Sequence, residues 1–96
     1  MPTSPVQLLR EAKKNKKRLA MISLYDAPTA MLACDAGADL LLVGDSLGNV
    51  ILGYDHFLDA TISDMVRHTG AVVRGVRVST KPTVPVFADL PFGTYA

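Results

Sequence analysis

The hydrophobic positions of this chain fall into short continuous runs and longer amphipathic stretches. Three continuous runs, near residues 19–24, 38–43 and 85–88, have the length of buried β-strands. An amphipathic stretch over residues 4–15 predicts an N-terminal helix that runs into a basic cluster, which suits the negative end of a helix. Because apolar strands alternate with helical stretches, the pattern predicts an α/β fold built on a parallel β-α-β-α-β sheet.

Residues that favour helix ends bound the two helices between the strands. Asp26 has the position of an N-cap for the first helix, and Gly37 follows its last residue. Thr61 has the position of an N-cap for the second helix, with Asp64 three residues later and Gly75 at its close. We expect the second helix to bury one stripe of side chains: Ile62, Met65, Val66, Thr69, Val72 and Val73.

Polar side chains follow each predicted strand at the point where it ends. Asp26, Asp45 and Asp89 lie within about two residues of the three strand ends, beside Tyr25 and Ser46. In a parallel sheet these residues emerge at the same carboxyl edge, where α/β folds build their sites. Asp26 is interpreted mainly as a helix cap. Asp45 and Asp89 precede no obvious helix, and two carboxylates match what Mg²⁺ usually takes from a protein, so they predict a metal site.

The composition narrows the class of protein. Ten basic against nine acidic residues give a net charge of +1, which provides no basis for binding nucleic acid or a membrane surface. No apolar run approaches the ~20 residues of a membrane span, and no secretory h-region precedes Lys13. The single cysteine, Cys34, is predicted to be a small core residue. We therefore expect a cytoplasmic globular protein, although a hydrophobic fraction of 49% is high for 96 residues.

Residues 44–59 contain three glycines and are predicted to form a long irregular segment. Its first residues, Gly44–Leu47, spell the motif of the GDSL serine hydrolases. A whole strand–helix unit precedes this motif, however, and the nearest candidate for the D-x-x-H pair, Asp64 to His68, has one residue too many. A GDSL-type hydrolase is therefore disfavoured. His68 is predicted to be half-buried and hydrogen-bonded, and His56 to be exposed.

Four segments, taken together and in this order, resemble ketopantoate hydroxymethyltransferase: Tyr25–Asp26, Val43–Gly48, His68–Thr69 and Ala88–Phe92. The resemblance implies a (β/α)8 TIM barrel of the phosphoenolpyruvate/pyruvate-binding superfamily, with the N-terminal helix capping the barrel floor. It also implies transfer of a hydroxymethyl group from 5,10-methylenetetrahydrofolate to 3-methyl-2-oxobutanoate through a Mg²⁺-bound enolate. The product would be 2-dehydropantoate, in the first step of pantothenate and coenzyme A biosynthesis.

The resemblance assigns roles to four residues of this chain. At the matching positions, Asp45 and Asp89 would be Mg²⁺ ligands that also contact the substrate, Ser46 would hold the substrate carboxylate, and Tyr25 would line the pocket. The implied cofactor is Mg²⁺, and the implied partners are the 2-oxo acid and the folate co-substrate. A homo-oligomer is implied for the full-length protein.

Residues 1–96 are expected to form a single, incomplete barrel domain, because a closed barrel needs ~200 residues or more. The family's general-base glutamate and its substrate-binding lysine come from later strands. The only glutamate, Glu11, lies in the N-terminal helix. We therefore expect no catalytic residue in this chain and no turnover by it alone. Two further interpretations are an inactive, non-enzymatic fragment and a lyase or mutase of the same superfamily.

Overall fold

The computed structural model of the chain describes residues 4–94, apart from the side chain of Phe57. Three short strands alternate with helices, which confirms the predicted α/β arrangement. A single turn of 3-10 helix is also present. In chain order the elements are α1 (Pro5–Lys14), β1 (Met21–Ser23), α2 (Ala27–Asp35), β2 (Leu40–Val43), α3 (Leu47–Val50), the 3-10 turn (Phe57–Asp59), α4 (Ile62–Arg77) and β3 (Val86–Ala88).

The three strands form one sheet in the order β1-β2-β3, and both pairs are parallel. Ser23 pairs with Leu42, and Val43 pairs with Ala88, so the carboxyl ends of the strands are aligned. The central strand β2 is largely buried, whereas every residue of β1 is exposed. This register brings the residues that follow the strands to one edge, as the sequence predicts.

Helices α2 and α4 pack closely, and their buried residues join those of β2 in one core. The prediction for Cys34 is confirmed, since its side chain is fully buried in α2. Gly75 lies where the two helices meet. A Cβ atom built on Gly75 would lie only 2.3 Å from the backbone carbonyl oxygen of Ala27, so the helices approach more closely than any side chain at this position would allow.

The predicted helix starts are confirmed in detail. The Asp26 side chain accepts a hydrogen bond from the backbone N–H of Thr29, at 2.8 Å. Thr61 and Asp64 form a reciprocal capping box at the start of α4. Gly37 follows α2 with a positive φ of 102°, a conformation that glycine adopts at little cost.

Three expectations about the helices were wrong. Residues 44–59 are not wholly irregular, because α3 and the 3-10 turn lie within them. Helix α4 does not close at Gly75 but continues to Arg77, since this glycine serves close packing and not termination. Of the predicted stripe, Met65 and Val72 are buried, but Ile62 and Val66 are 46% and 66% exposed, because the buried face of the helix is centred on Met65, Val72 and Val76 and leaves these two residues at its margin. No helix in residues 4–94 is long and apolar enough to span a bilayer.

Candidate active site

Asp45 and Asp89 meet at the carboxyl edge of the sheet. The backbone N–H of Asp45 donates a hydrogen bond to Oδ2 of Asp89, at 3.1 Å. The backbone N–H of Asp89 in turn donates to the carbonyl oxygen of Val43, at 3.0 Å, which continues the β2–β3 pairing past the end of β3. The two aspartates line an open cleft of about 550 Å³ together with Ala88 and Leu90.

Tyr25 and Ser46 form a second pair at the same edge. The Tyr25 Oη and Ser46 Oγ atoms lie 2.8 Å apart and share a hydrogen bond. Both side chains are half-buried, and the ring of Tyr25 packs against the hydrophobic core. Ser46 has the N-cap position of α3, but its side chain makes no capping bond there. Its hydroxyl therefore faces Tyr25 and not the helix backbone.

Gly44 connects the two pairs. A Cβ atom built on this buried residue would lie 3.2 Å from Ser46 Oγ, 3.5 Å from Asp89 Oδ2 and 3.8 Å from Ser23 Oγ. Its φ angle lies outside the left-handed region, so the backbone does not demand a glycine here. Three polar groups thus surround this point, and the absence of a side chain leaves room for the closest of them, the Ser46 hydroxyl.

Ser23 is a site residue that the sequence reasoning missed. It is the last residue of β1, and its hydroxyl lies beside Gly44, the residue that follows the neighbouring strand β2. One signal was present: Ser23 is two residues before Tyr25, and residues two apart along a strand project from the same face. The hydroxyl in an otherwise apolar strand therefore shares a face with the predicted pocket residue.

Asp26 stands apart from this arrangement, as the sequence predicts. Hydrogen bonds from the Thr29 side chain and backbone, with a smaller contribution from the nearby charge of His68, lower the pKa of Asp26. The carboxylate is thus held in its charged form as a helix cap. The prediction that His68 is half-buried and hydrogen-bonded is confirmed: its Nδ1 lies 2.7 Å from the carbonyl oxygen of Tyr25.

The aspartate pair suits a hard divalent cation by its donor chemistry. Among residues 4–94, no three His, Cys, Asp or Glu side chains come together in a group that could hold a metal. Mg²⁺, however, typically takes one or two carboxylates and completes its octahedron with water and substrate oxygens. The sole glutamate, Glu11, lines a groove with Asp39 and Thr83, residues that precede β2 and β3, at the opposite end of the sheet.

The hydroxyl of Ser46 lacks the partner that a hydrolytic serine requires. Its hydrogen-bond partner is the Tyr25 hydroxyl, and His68 is engaged with the Tyr25 backbone. A serine nucleophile needs a base within hydrogen-bond distance. Within the described part of the chain, the geometry therefore gives no support to a GDSL-type hydrolase.

The fold and the site define an α/β protein with a paired-carboxylate site at the carboxyl edge of a parallel sheet. A sequence profile of the ketopantoate hydroxymethyltransferase family matches residues 4–96. The chain belongs to this family, as the four resembling segments predicted.

Proteins with the name 3-methyl-2-oxobutanoate hydroxymethyltransferase are similar over nearly the whole chain. The protein from Dehalococcoides mccartyi is 47% identical over 90 residues, which cover 94% of this chain and 30% of the relative. The Carboxydothermus hydrogenoformans protein is 48% identical, with coverage of 94% and 31%. The Aeropyrum pernix protein is 46% identical over 96 residues, with coverage of 99% and 33%. The chain thus spans about a third of the length of these relatives.

Proposed function

We propose that this chain supplies the N-terminal part of an active site that transfers a hydroxymethyl group to 3-methyl-2-oxobutanoate, with 5,10-methylenetetrahydrofolate as the donor. The product would be 2-dehydropantoate, on the route to pantothenate and coenzyme A. The observation that carries the proposal is the convergence of Asp45, Asp89 and the Tyr25–Ser46 pair around Gly44, within the segment matched by relatives of that name.

Asp45 and Asp89 are the residues that would hold Mg²⁺. When bound, the cation supplies Lewis acidity that polarises the keto group of a 2-oxo acid and makes its C3 hydrogen acidic. The N–H of Asp45 donates a hydrogen bond to one oxygen of the Asp89 carboxylate. The Asp89 side chain would therefore be oriented before the cation binds. This preorganisation lowers the cost of assembling the site on binding.

Ser46 and Tyr25 would orient the substrate carboxylate. If the Tyr25 hydroxyl donates to Ser46 Oγ, the Ser46 proton is left to point at an incoming carboxylate oxygen. A hydrogen bond to a charged acceptor is roughly twice as strong as one between neutral groups. The pair would thus fix the acid end of the substrate, while the aspartates face its keto end.

The rest of the catalytic site would come from later strands of a (β/α)8 barrel. In this chain β1 and β3 are both edge strands, and Met21 and Ile22 of β1 are 54% and 39% exposed. Such edges call for further strand pairing. The proposal includes helix α1 as a cap on the barrel floor, the enolate route, a homo-oligomeric full-length enzyme and a cytoplasmic location. A lyase or mutase of the same superfamily and an inactive fragment are the outcomes to be separated from it.

The experiment compares residues 1–96 with a chimera in which these residues precede the C-terminal two thirds of the Carboxydothermus hydrogenoformans relative. Formation of 2-dehydropantoate is measured with Mg²⁺, 3-methyl-2-oxobutanoate and 5,10-methylenetetrahydrofolate. We expect folate-dependent product from the chimera and none from the chain alone. Product from the chain alone would overturn the need for later strands. A folded chimera without product, while the intact relative turns over, would contradict the proposed function.

A further inference from the structure

His68 makes a contact that the proposed function does not use. It lies in α4, half-buried, with Nδ1 at 2.7 Å from the backbone carbonyl oxygen of Tyr25. A carbonyl oxygen only accepts hydrogen bonds, so the proton must reside on Nδ1 of the imidazole. The contact therefore defines which ring nitrogen carries a proton, as well as the position of the ring.

The carbonyl that His68 contacts lies at the junction between β1 and α2. The next residue, Asp26, is held by its cap on Thr29, so α2 fixes one side of the junction. His68 fixes the other side from α4, which packs against α2. The peptide that carries the Tyr25 side chain is thus restrained by two separate helices.

Two hydrogen bonds, one at the backbone and one at the hydroxyl of Tyr25, connect His68 to Ser46. His68 Nδ1 contacts Tyr25, whose Oη lies 2.8 Å from Ser46 Oγ. Ser46 Oγ in turn lies within 3.2 Å of the point where a Gly44 side chain would begin. A small shift of the Tyr25 backbone would therefore be carried along the ring to the hydroxyl that orients Ser46, because the aromatic ring is rigid.

We propose that His68 is a positioning residue, whose Nδ1–H holds the Tyr25 carbonyl so that the Tyr25 hydroxyl can orient Ser46 toward a carboxylate of the substrate. This inference rests on the proposed function for the identity of the substrate. The role concerns binding of the acid end and not the transfer step. Loss of the contact is therefore expected to raise KM for the 2-oxo acid and to leave kcat nearly unchanged.

Three substitutions separate this role from general packing. His68→Asn keeps an N–H donor near the position of Nδ1, His68→Gln places its donor near the position of Nε2, and His68→Leu removes the donor. His56→Leu is the matched control, because His56 is exposed in the segment before α4. In the chimera, we expect His68→Leu and His68→Gln to raise KM about fivefold, which corresponds to the loss of one hydrogen bond of ordinary strength. His68→Asn should stay within twofold of the parent.

A double-mutant cycle with Tyr25→Phe tests whether His68 acts through the tyrosine hydroxyl. If it does, His68→Leu should raise KM in the parent but add less than twofold in the Tyr25→Phe background. Full additivity of the two substitutions, or an Asn variant no better than the Leu variant, would overturn the proposal. Thermal unfolding of each variant shows whether a KM change follows stability instead.

A second measurement does not depend on the reaction. In the 96-residue chain, ¹⁵N spectra of the histidine rings report which nitrogen carries the proton. We expect Nδ1–H for His68, and a shift of the Tyr25 ring resonances in His68→Leu but not in His68→Asn. An Nε2–H tautomer, or Tyr25 resonances indifferent to His68→Leu, would overturn the positioning role. The expected spectra from the 96-residue chain, together with an inactive chimera, would overturn only the proposed function.

Discussion

The backbone N–H of Asp45 donates to the side-chain Oδ2 of Asp89 across the ends of β2 and β3, at 3.1 Å. The main chain of Asp45 therefore positions the Asp89 side chain. The carboxylate of Asp45 takes no part in this hydrogen bond. The same edge carries the Tyr25–Ser46 pair, and Gly44 lies between them without a side chain. The site depends on close spacing, so small changes in volume should have large effects on it.

Gly44→Ala is expected to damage the site more than the fold. The added Cβ would lie 3.2 Å from Ser46 Oγ, so the Ser46 hydroxyl must move by a few tenths of an ångström, whereas its distance of 3.5 Å from Asp89 Oδ2 is an ordinary contact. Misplaced binding groups cost rate steeply, and we expect kcat/KM of the chimera to fall at least tenfold, on the order of magnitude known for such displacements.

The control for Gly44→Ala is Gly70→Ala, at a helical position where the nearest neighbour is the flexible end of Arg74. It should leave kcat/KM within twofold. Equal kinetics for the two alanine variants would show that the space at Gly44 does not matter to the site.

Gly75→Ala is expected to destabilise the chain. Its Cβ would meet the Ala27 carbonyl group at 2.3 Å, and backbone atoms cannot move aside without separating α2 from α4. We expect a loss of about 3 kcal/mol in the free energy of unfolding, the upper range for an overpacked core. Gly70→Ala in the same helix should instead gain up to about 1 kcal/mol from helix propensity. Urea unfolding followed by circular dichroism measures both, and similar values for the two variants would contradict the close helix contact.

The cap at Asp26 predicts a specific dependence of stability on pH. Because the folded state lowers the pKa of Asp26, the stability from this group is complete above the unfolded pKa of about 3.9 and is lost as pH falls through the lower, folded value. Asp26→Asn should cap as well at pH 7 but lack this loss. Asp35, whose pKa is lowered by hydrogen bonds from Thr80, titrates in the same direction in both proteins and cancels in the comparison.

The corresponding measurement is urea unfolding of the parent and Asp26→Asn between pH 7 and pH 2. The parent should lose more stability than the variant below pH 4. Asp26→Ala should cost about 1 kcal/mol at pH 7. Parallel curves for the parent and the Asn variant would contradict the cap assignment.

The sheet and its carboxyl edge could be predicted from sequence because the strands are continuous apolar runs, each followed by an aspartate. The caps at Asp26 and Thr61 could be predicted because N-capping is local, between residues three apart. These signals are all local in the sequence, and most of the fold could be predicted from them. The role of Gly75 could not be read in this way, since only the approach of α2 to α4 distinguishes it from a terminating glycine.

Ser23 and α3 were missed for different physical reasons. The spacing of Ser23 from Tyr25 was the one signal for its hydroxyl, and in a strand of three residues a single such spacing does not stand out. Helix α3 has four residues, and so short a helix is held by its surroundings, among them the fully buried side chain of Leu47. The stripe on α4 was misplaced because periodicity shows that the helix has an apolar side but not which part of that side its partner covers, and the buried face is centred on Met65, Val72 and Val76.

The most direct test of the proposed site is Mg²⁺-dependent exchange of the C3 hydrogen of 3-methyl-2-oxobutanoate with D2O, followed by NMR in the chimera. Asp45→Asn and Asp89→Asn keep the shape of each side chain but remove its charge, and Asp55→Asn, at an exposed position, is the control. We predict that exchange falls at least a hundredfold in the first two variants, in the range known for the removal of a single electrostatic group from an active site, and is unchanged in the third. Exchange at the parent rate in Asp45→Asn and Asp89→Asn would contradict the assignment of these residues to the metal and the substrate.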